Sequence, residues 1–332
     1  MINPEPTKRA VIDVGRPCNL KCSFCYYRYE EPTPFVPFET LKEQIIDAKG
    51  RGNNTIDFTG GEPTMHPQIV ELVKICSDNN MKSCIITNAI LLFKDNLLGR
   101  LLGVGLNDLL ITIQGLEEAH NRSVCAKTYD KVIKAINFMH QSGLFYRTNT
   151  ILTMDTFRGL PELAKLLAEK KPKISNFINF NARYNWTKID RERIQARCSD
   201  IAPHLREAIS ILEASDIGVN VRYFPMCLLK GFEKNVCNGS LVVFDPYEWD
   251  YGFSPKSFEV YKKAGENICQ AINSNGLCPE CMSCGIRGIC GTLDKPYFQR
   301  FGAAELEPYS QKVEDLYFFR RNNKPITLIR GY

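Results

Sequence analysis

Between about residue 9 and residue 225, short apolar runs alternate with stretches of helical period, and no other feature constrains the fold as strongly. The runs at 10–14, 55–59, 83–87, 108–113, 146–153 and 174–180 read as strands. Between them Ile69, Leu72, Val73 and Cys76 share one helical face, with Pro67 placed to begin that helix. Val132, Ile133, Ile136 and Met139 do the same ahead of Gly143, which suits a helix C-terminus. Leu160, Leu163 and Leu167 mark another helix, and 194–215 reads as a longer one. Strand and helix in alternation imply parallel βαβ units, as a partial barrel or an open doubly wound sheet. Periodicity does not choose between those two. In both, ligand chemistry belongs beyond the C-terminal ends of the strands.

From about residue 226 the alternation fades and Cys, Gly, Pro and aromatic residues become frequent, so a domain boundary is expected there, with 8–225 before it and 226–332 after. The composition, 44% hydrophobic and 24% charged over 332 residues, supports a packed core. No apolar run reaches membrane-spanning length and the first residues lack a signal-peptide pattern, so a cytoplasmic protein is expected. Lys plus Arg (42) exceed Asp plus Glu (37) slightly and no basic run stands out, which gives no reason to expect a nucleic-acid partner.

Fourteen cysteines are many for such a chain. In a reducing compartment they point to metal ligation, redox chemistry or burial. Cys18, Cys22 and Cys25 directly follow the first strand, and their spacing lets one tight loop aim three thiolates at one centre. Thiolates suit iron–sulfur clusters and zinc alike. Zinc would need a fourth ligand, and no histidine lies close in sequence. A cubane held by three cysteines leaves one iron open to an outside ligand, which makes it a catalytic site.

The pattern Cys18-x3-Cys22-x2-Cys25, with Phe24 in the aromatic slot, resembles the signature of the radical S-adenosylmethionine (SAM) superfamily. Gly60-Gly61-Glu62-Pro63, directly after the second strand, is similar to that family's GGEP element. The resemblance covers about 8–225 and implies a partial (β/α)6 barrel of TIM type, a SAM-binding [4Fe-4S] cluster on Cys18, Cys22 and Cys25, and an external reductant such as flavodoxin or ferredoxin. It implies that SAM chelates the open iron, and that the reduced cluster cleaves it to methionine and a 5′-deoxyadenosyl radical. The two glycines permit close backbone approach, Pro63 stiffens the turn, and Glu62 is placed to orient the loop or meet the SAM ammonium. By the same resemblance Asn88 belongs to a TNG-like element in which Ala89 replaces Gly. Thr112 and Gln114 fall in an SxDG-like element, and Asn149 lies on the fifth strand. Each is a candidate SAM contact or an ordinary strand-end polar group.

Cys281-x2-Cys284-x5-Cys290 is similar to the core of SPASM and twitch extensions, which carry auxiliary [4Fe-4S] clusters. Tyr297, Phe301-Gly302, Glu305 and Pro308 resemble the tail of such an extension. Asp294 stands where a full SPASM pattern has a further cysteine, so one auxiliary cluster is expected. Its fourth ligand is open among Cys278, nearest in sequence, Cys227, after an apolar strand at 219–224, and the weaker candidates Cys237 and Cys269. Zinc is the rival metal.

Cys76 and Cys84 read as buried. His120 reads as a loop-capping residue, His140 and His204 as helix-surface residues, and His66 as a minor active-site candidate. Arg183 pairs with an anion or sits in a surface ion pair, and Tyr247, Trp249 and Tyr251 pack an interface or cover a cluster. The expected activity is radical SAM catalysis on a small-molecule natural-product precursor, such as a sugar or nucleoside. The barrel begins near residue 10, which leaves no room for an N-terminal peptide-recognition domain. A ribosomally made peptide is the alternative substrate, and a non-catalytic Fe–S carrier or zinc adaptor the alternative of another class. No catalytic acid, base or radical donor is legible.

Overall fold

The computed structural model describes residues 7–25, 27, 33–180, 188–238, 249–250, 279–286, 290, 293 and 295–310. Arg183, Tyr247, Tyr251, Cys269 and Cys278 lie outside them, and of Trp249 only the backbone is described. Strands β1 (Arg9–Asp13), β2 (Thr55–Thr59), β3 (Lys82–Thr87), β4 (Asp108–Thr112), β5 (Tyr146–Leu152), β6 (Ile174–Asn179) and β7 (Gly218–Arg222) pair in sequence order, every neighbour parallel. A two-residue β8 (Trp249–Asp250) adds to the other side of β1, also parallel. The sheet curls into a partial barrel, with the helices α1 (Phe38–Arg51), α2 (Ile69–Asp78), α3 (Leu97–Gly103), α4 (Glu117–Val124), α5 (Tyr129–Gln141), α6 (Leu160–Lys170), α7 (Lys188–Ile194) and α8 (Cys198–Glu213) between the strands. Six expected strands are present within a residue or two. The apolar strand read at 219–224 is β7, and with β8 it extends the sheet at its edges.

Alternation along the strands separates two environments. Ala10, Ile12, Ile56, Phe58, Ile85 and Leu109 face the helices and join one continuous core. The intervening residues face the lumen, and there the lower and upper halves differ. At the bottom, Arg9, Asp57, Asp108 and Arg147 are buried together. Arg9 Nη2 donates to Asp57 at 2.6 Å and Arg147 Nη2 to Asp108 at 2.6 Å, while Arg147 Nη2 also reaches the buried Cys84 sulfur at 3.2 Å. Two cations balance two carboxylates and plug the barrel floor. Higher up, Thr59, Ile86, Asn88, Thr112, Asn149 and Ile151 are only half-buried although they lie on or directly after inner strands. Their exposure marks an open cavity at the C-terminal ends of the strands.

The long helix expected at 194–215 is α8, which starts four residues later than expected, and a separate short helix, α7, precedes it. α7 ends at Ile194 and α8 begins at Cys198. The break is enforced from the C-terminal region: the Tyr297 hydroxyl accepts from Cys198 N at 2.6 Å, and Glu305 Oε2 accepts from Ser199 N at 2.8 Å. These bonds satisfy first-turn donors that a continuous helix would have used internally. The guanidinium of Arg300, on the helix Lys295–Phe301, closes the other side by donating to the carbonyls of Arg191, Glu192 and Gln195.

Candidate active site

The chain leaves β1 at Asp13 and turns at Gly15 into the segment carrying Cys18, Cys22 and Cys25. Two anchors shape that segment. Gly61 N donates to Gly15 O at 2.8 Å and Glu62 N to Pro17 O at 2.9 Å, which joins it to the loop after β2. Ser23 N donates to Ser123 O at 2.8 Å, which joins it to the end of α4. Close approach explains both glycines. A Cβ on Gly60 would lie 2.3 Å from Gly15 O, and one on Gly61 would lie 2.3 Å from the carbonyls of Arg16 and Pro17. Gly60 also has φ +134, which a side chain rarely tolerates.

The three thiols sit within electrostatic reach of one another. Burial, opposed by a hydrogen bond from Leu20 N, pushes the Cys18 thiol up to about 11, with Glu62 and Cys25 adding to the rise. Burial pushes Cys22 up as well, followed by Cys25, Cys18 and Cys125. Among the described residues no group of three or more His, Cys, Asp or Glu side chains is set to hold a single metal ion. The donor set is three sulfurs spread along one loop, which fits a cluster with several irons.

Glu62 is 2% exposed, and its carboxylate is spent on the protein. Oε1 accepts from Thr64 N at 3.1 Å, Thr64 Oγ1 at 2.6 Å and Thr87 Oγ1 at 2.7 Å, and Oε2 accepts from Asn88 N at 2.8 Å. Burial pushes this carboxyl up, against the hydrogen bonds that favour its ionised form. Its role is to bind the β2 loop to the end of β3. Pro63 follows as the first residue of a 3₁₀ turn, Pro63–Met65. Asn88 Nδ2 donates to Asn19 Oδ1 at 2.7 Å, so a residue of the cysteine loop missing from the sequence reading also meets the site. Ala89 keeps the turn that a glycine would make, at φ 64, with its methyl buried.

The remaining candidates line the lumen. Thr112 and Asn149 are register partners on β4 and β5, both half-buried. Gln114 is fully buried, and its Oε1 accepts from Ile151 N at 2.8 Å. Two polar atoms here have no partner among the described residues: Gln114 Nε2, a donor, and Asn149 Oδ1, an acceptor. Buried polar groups of this kind are normally paired, so the pair fits a ligand bearing both donor and acceptor groups. Phe24 packs with Ile151, Phe180 and Ile194 into a small apolar cluster beside them. Asp13 is a further residue that sequence patterning missed. It accepts from Gly15 N at 2.9 Å and from Tyr27 Oη at 3.1 Å and pairs with Arg16, whose guanidinium stacks 3.7 Å over the Tyr27 ring. Its only signal was its place at the end of β1.

The histidines stay out of this site. His66 is 3% exposed, with Nδ1 accepting from Gln68 N and Nε2 facing Val36 O. His120 caps its loop, Nδ1 accepting from Gln114 N at 3.1 Å and Nε2 lying 3.2 Å from Thr128 Oγ1.

A second group of thiols lies at the edge of the barrel. Cys227, in the turn after β7, lines one cavity with Cys281, Cys284 and Cys290, and Pro225, Ile286, Leu293, Leu306 and Pro308 complete an apolar wall. Cys227 joins the three closely spaced cysteines despite the long interval in sequence. Cys237 is buried but does not line the cavity. None of the described cysteines is in a disulfide.

The family model described as the radical SAM superfamily matches residues 12–182, more than half of the chain. The chain belongs to the radical SAM superfamily. It is an enzyme of that family, whose members use a [4Fe-4S] cluster and SAM. It is similar to the Fe-coproporphyrin III synthase of Methanosarcina barkeri, 27% identical over 172 residues, which are 49% of this chain and 42% of that protein. It is similar also to the GTP 3′,8-cyclase of Chlorobaculum tepidum, 27% identical over 245 residues, 68% of this chain and 72% of the relative. The chain thus spans less than half of the first relative and nearly three quarters of the second. Among solved structures, anSMEcpe with bound AdoMet and Cp18Cys peptide has the same fold, with a TM-score of 0.61 and 19% identity over 92% of this chain and 94% of that one. Among the described residues no helix is long and apolar enough to cross a membrane.

Proposed function

We propose that this radical SAM enzyme abstracts a hydrogen atom from a carbon of a small-molecule precursor such as a sugar or nucleoside, assisted by one auxiliary [4Fe-4S] cluster. One arrangement carries the reading: three thiols on the loop after β1, bound backbone to backbone to the Gly60–Gly61 loop, at the open upper mouth of the lumen. Cys18, Cys22 and Cys25 hold the first cluster and leave one coordination position for SAM. When bound, that cluster supplies the electron that splits the SAM sulfonium into methionine and a 5′-deoxyadenosyl radical.

The chain's own groups bind and orient. Glu62 fixes the two loops against each other, Asn88 braces the cysteine loop through Asn19, and Phe24 with Ile151 gives an apolar face for the adenine. Thr112, Asn149 Oδ1 and Gln114 Nε2 offer hydrogen bonds to the ribose and carboxylate of SAM. The ion network plugs the lumen below, which limits water reaching a reactive carbon radical from that end. Cys227, Cys281, Cys284 and Cys290 supply four thiolates to the auxiliary cluster. Full thiolate ligation suits electron relay rather than direct substrate binding. An external reductant such as flavodoxin or ferredoxin feeds the system.

GTP 3′,8-cyclase is named for a nucleotide substrate, in keeping with a small molecule here. A peptide is the second reading, favoured by a further relative named PqqA peptide cyclase, and among the described residues β7 and β8 are separate edges of the sheet. Anaerobic reconstitution tests the proposal. About eight irons per chain are expected, four for each cluster, with 5′-deoxyadenosine formed under dithionite and SAM. Replacing Cys18, Cys22 and Cys25 by Ala removes half the iron and all of that product. Intact SAM over fully loaded, reduced protein refutes the assignment.

A further inference from the structure

Residues 306–309, outside any helix or strand, form a strap against the second thiol cavity. Leu306 and Pro308 turn into the cavity wall. Glu307 and Tyr309 make the tethers: Glu307 accepts from Lys230 Nζ at 2.6 Å, and the Tyr309 hydroxyl donates to Glu233 Oε1 at 2.7 Å. Glu233 is 1% exposed, and its other oxygen accepts from Gly231 N at 2.9 Å. Gly285 N donates to Tyr309 O at 2.7 Å, which fixes the strap to the turn carrying Cys284.

The strap also aims a peptide N–H at sulfur: Tyr309 N donates to Cys284 Sγ at 3.4 Å. A second donor, Met226 N, reaches Cys290 Sγ at 3.3 Å. Two of the four sulfurs lining an otherwise apolar wall thus accept these backbone hydrogen bonds. An apolar wall opposes added negative charge, whereas N–H dipoles directed at thiolate sulfur favour it. The reduced state of a cluster placed here depends on those donors.

We propose that Tyr309 is a positioning residue for the auxiliary centre: tethered through Glu233, it holds the 306–309 strap in the register that directs its own N–H at Cys284, and so raises the reduction potential of a cluster bound there. This rests on the assignment of an iron–sulfur cluster to the four thiols.

The test uses the full chain with Cys18, Cys22 and Cys25 replaced by Ala, which leaves only the auxiliary centre. This parent should hold about four irons. Tyr309→Phe, which deletes one oxygen, keeps that iron and lowers the midpoint in an EPR-monitored redox titration. At the parent's midpoint the reduced-to-oxidised ratio falls about tenfold, equivalent to about 59 mV for a one-electron couple. An unchanged midpoint in iron-replete Tyr309→Phe overturns the proposal. Pulsed EPR of the reduced parent in D2O gives a readout that needs no variant. Coupled deuterons beyond the one expected from Met226 N support the proposal, and no coupling beyond that one overturns it even if Tyr309→Phe loses iron. A parent without iron refutes the cluster assignment itself, a result distinct from an unmoved potential.

Discussion

The Thr87 hydroxyl donates to Glu62 Oε1 at 2.7 Å, so the end of β3 hangs from a carboxylate carried by the loop after β2. Asn88 N, Thr64 N and the Thr64 hydroxyl share that carboxylate. Glu62→Ala strips all four donors at once in a buried place. Leaving buried donors unpaired costs about 1–3 kcal/mol for each group that water cannot reach. The variant should lose about 3 kcal/mol in urea unfolding and bind SAM about tenfold more weakly by calorimetry. Glu62→Gln keeps an acceptor and should fall between. Equal SAM affinity in wild type and Glu62→Ala would show that the carboxylate does not shape the site.

Arg147 and Asp108 test the barrel floor. Both are buried, 2.6 Å apart, and linked to Arg9 and Asp57. Removing one partner of a buried pair strands a charge in a poor solvent, at about 3–5 kcal/mol. Arg147→Met should show that loss in chemical denaturation. The double variant Arg147→Met with Asp108→Leu should recover part of it, because the stranded charge is gone too. Additive losses in the double variant would mean that the two side chains are not coupled.

Sequence reading and structure agree where the signal is local. The runs at 55–59, 108–113 and 174–180 are strands because each is a short apolar stretch between turn residues, and the glycines after β2 are required by backbone contacts that the motif implied. α1 went unread although Leu41, Ile45 and Ala48 carry the helical spacing, because charged residues dominate the stretch. The ion network was invisible for a physical reason. A charged residue in a strand reads as a solvent face, and only the closing of the sheet brings Arg9, Asp57, Asp108 and Arg147 together. The break before Cys198 was illegible because its stop signals, Tyr297 and Glu305, lie about a hundred residues downstream. Spacing could not decide among Cys278, Cys227 and the others for the second thiol group, and the described residues gather Cys227 with Cys281, Cys284 and Cys290.

The cap on α8 gives a prediction that links fold to cofactor. The Tyr297 hydroxyl accepts from Cys198 N and donates to Glu305, whose other oxygen holds Ser199 N. Tyr297→Phe removes the central oxygen and leaves Cys198 N unpaired in a buried place. The expected loss is about 1–2 kcal/mol, the usual range for a helix cap. Faster amide exchange at residues 198 and 199 should accompany it. Since these bonds join the C-terminal segment to the barrel, iron held at the second thiol cavity, as proposed above, should also be lost sooner under a chelator. Unchanged exchange at those two amides would remove the capping role.

His120 gives stability a pH dependence of definite sign. It is 2% exposed, and burial pushes its imidazole down to about 4, so the native ring is neutral and Nδ1 is free to accept from Gln114 N. In the unfolded chain a histidine titrates near its ordinary value of about 6.5. Between those two values the unfolded state binds a proton that the native state refuses, so stability falls as pH falls. The slope from this residue approaches about 1.4 kcal/mol per pH unit below pH 6.5, about 3 kcal/mol in all if followed to pH 4. His120→Gln keeps an acceptor for Gln114 N without the titration. Urea unfolding of wild type and variant from pH 7.5 to 5.5 should therefore converge in stability as pH drops. Parallel curves over that range would mean that His120 is protonated in the folded protein, and its bond to the Gln114 amide would have to be abandoned.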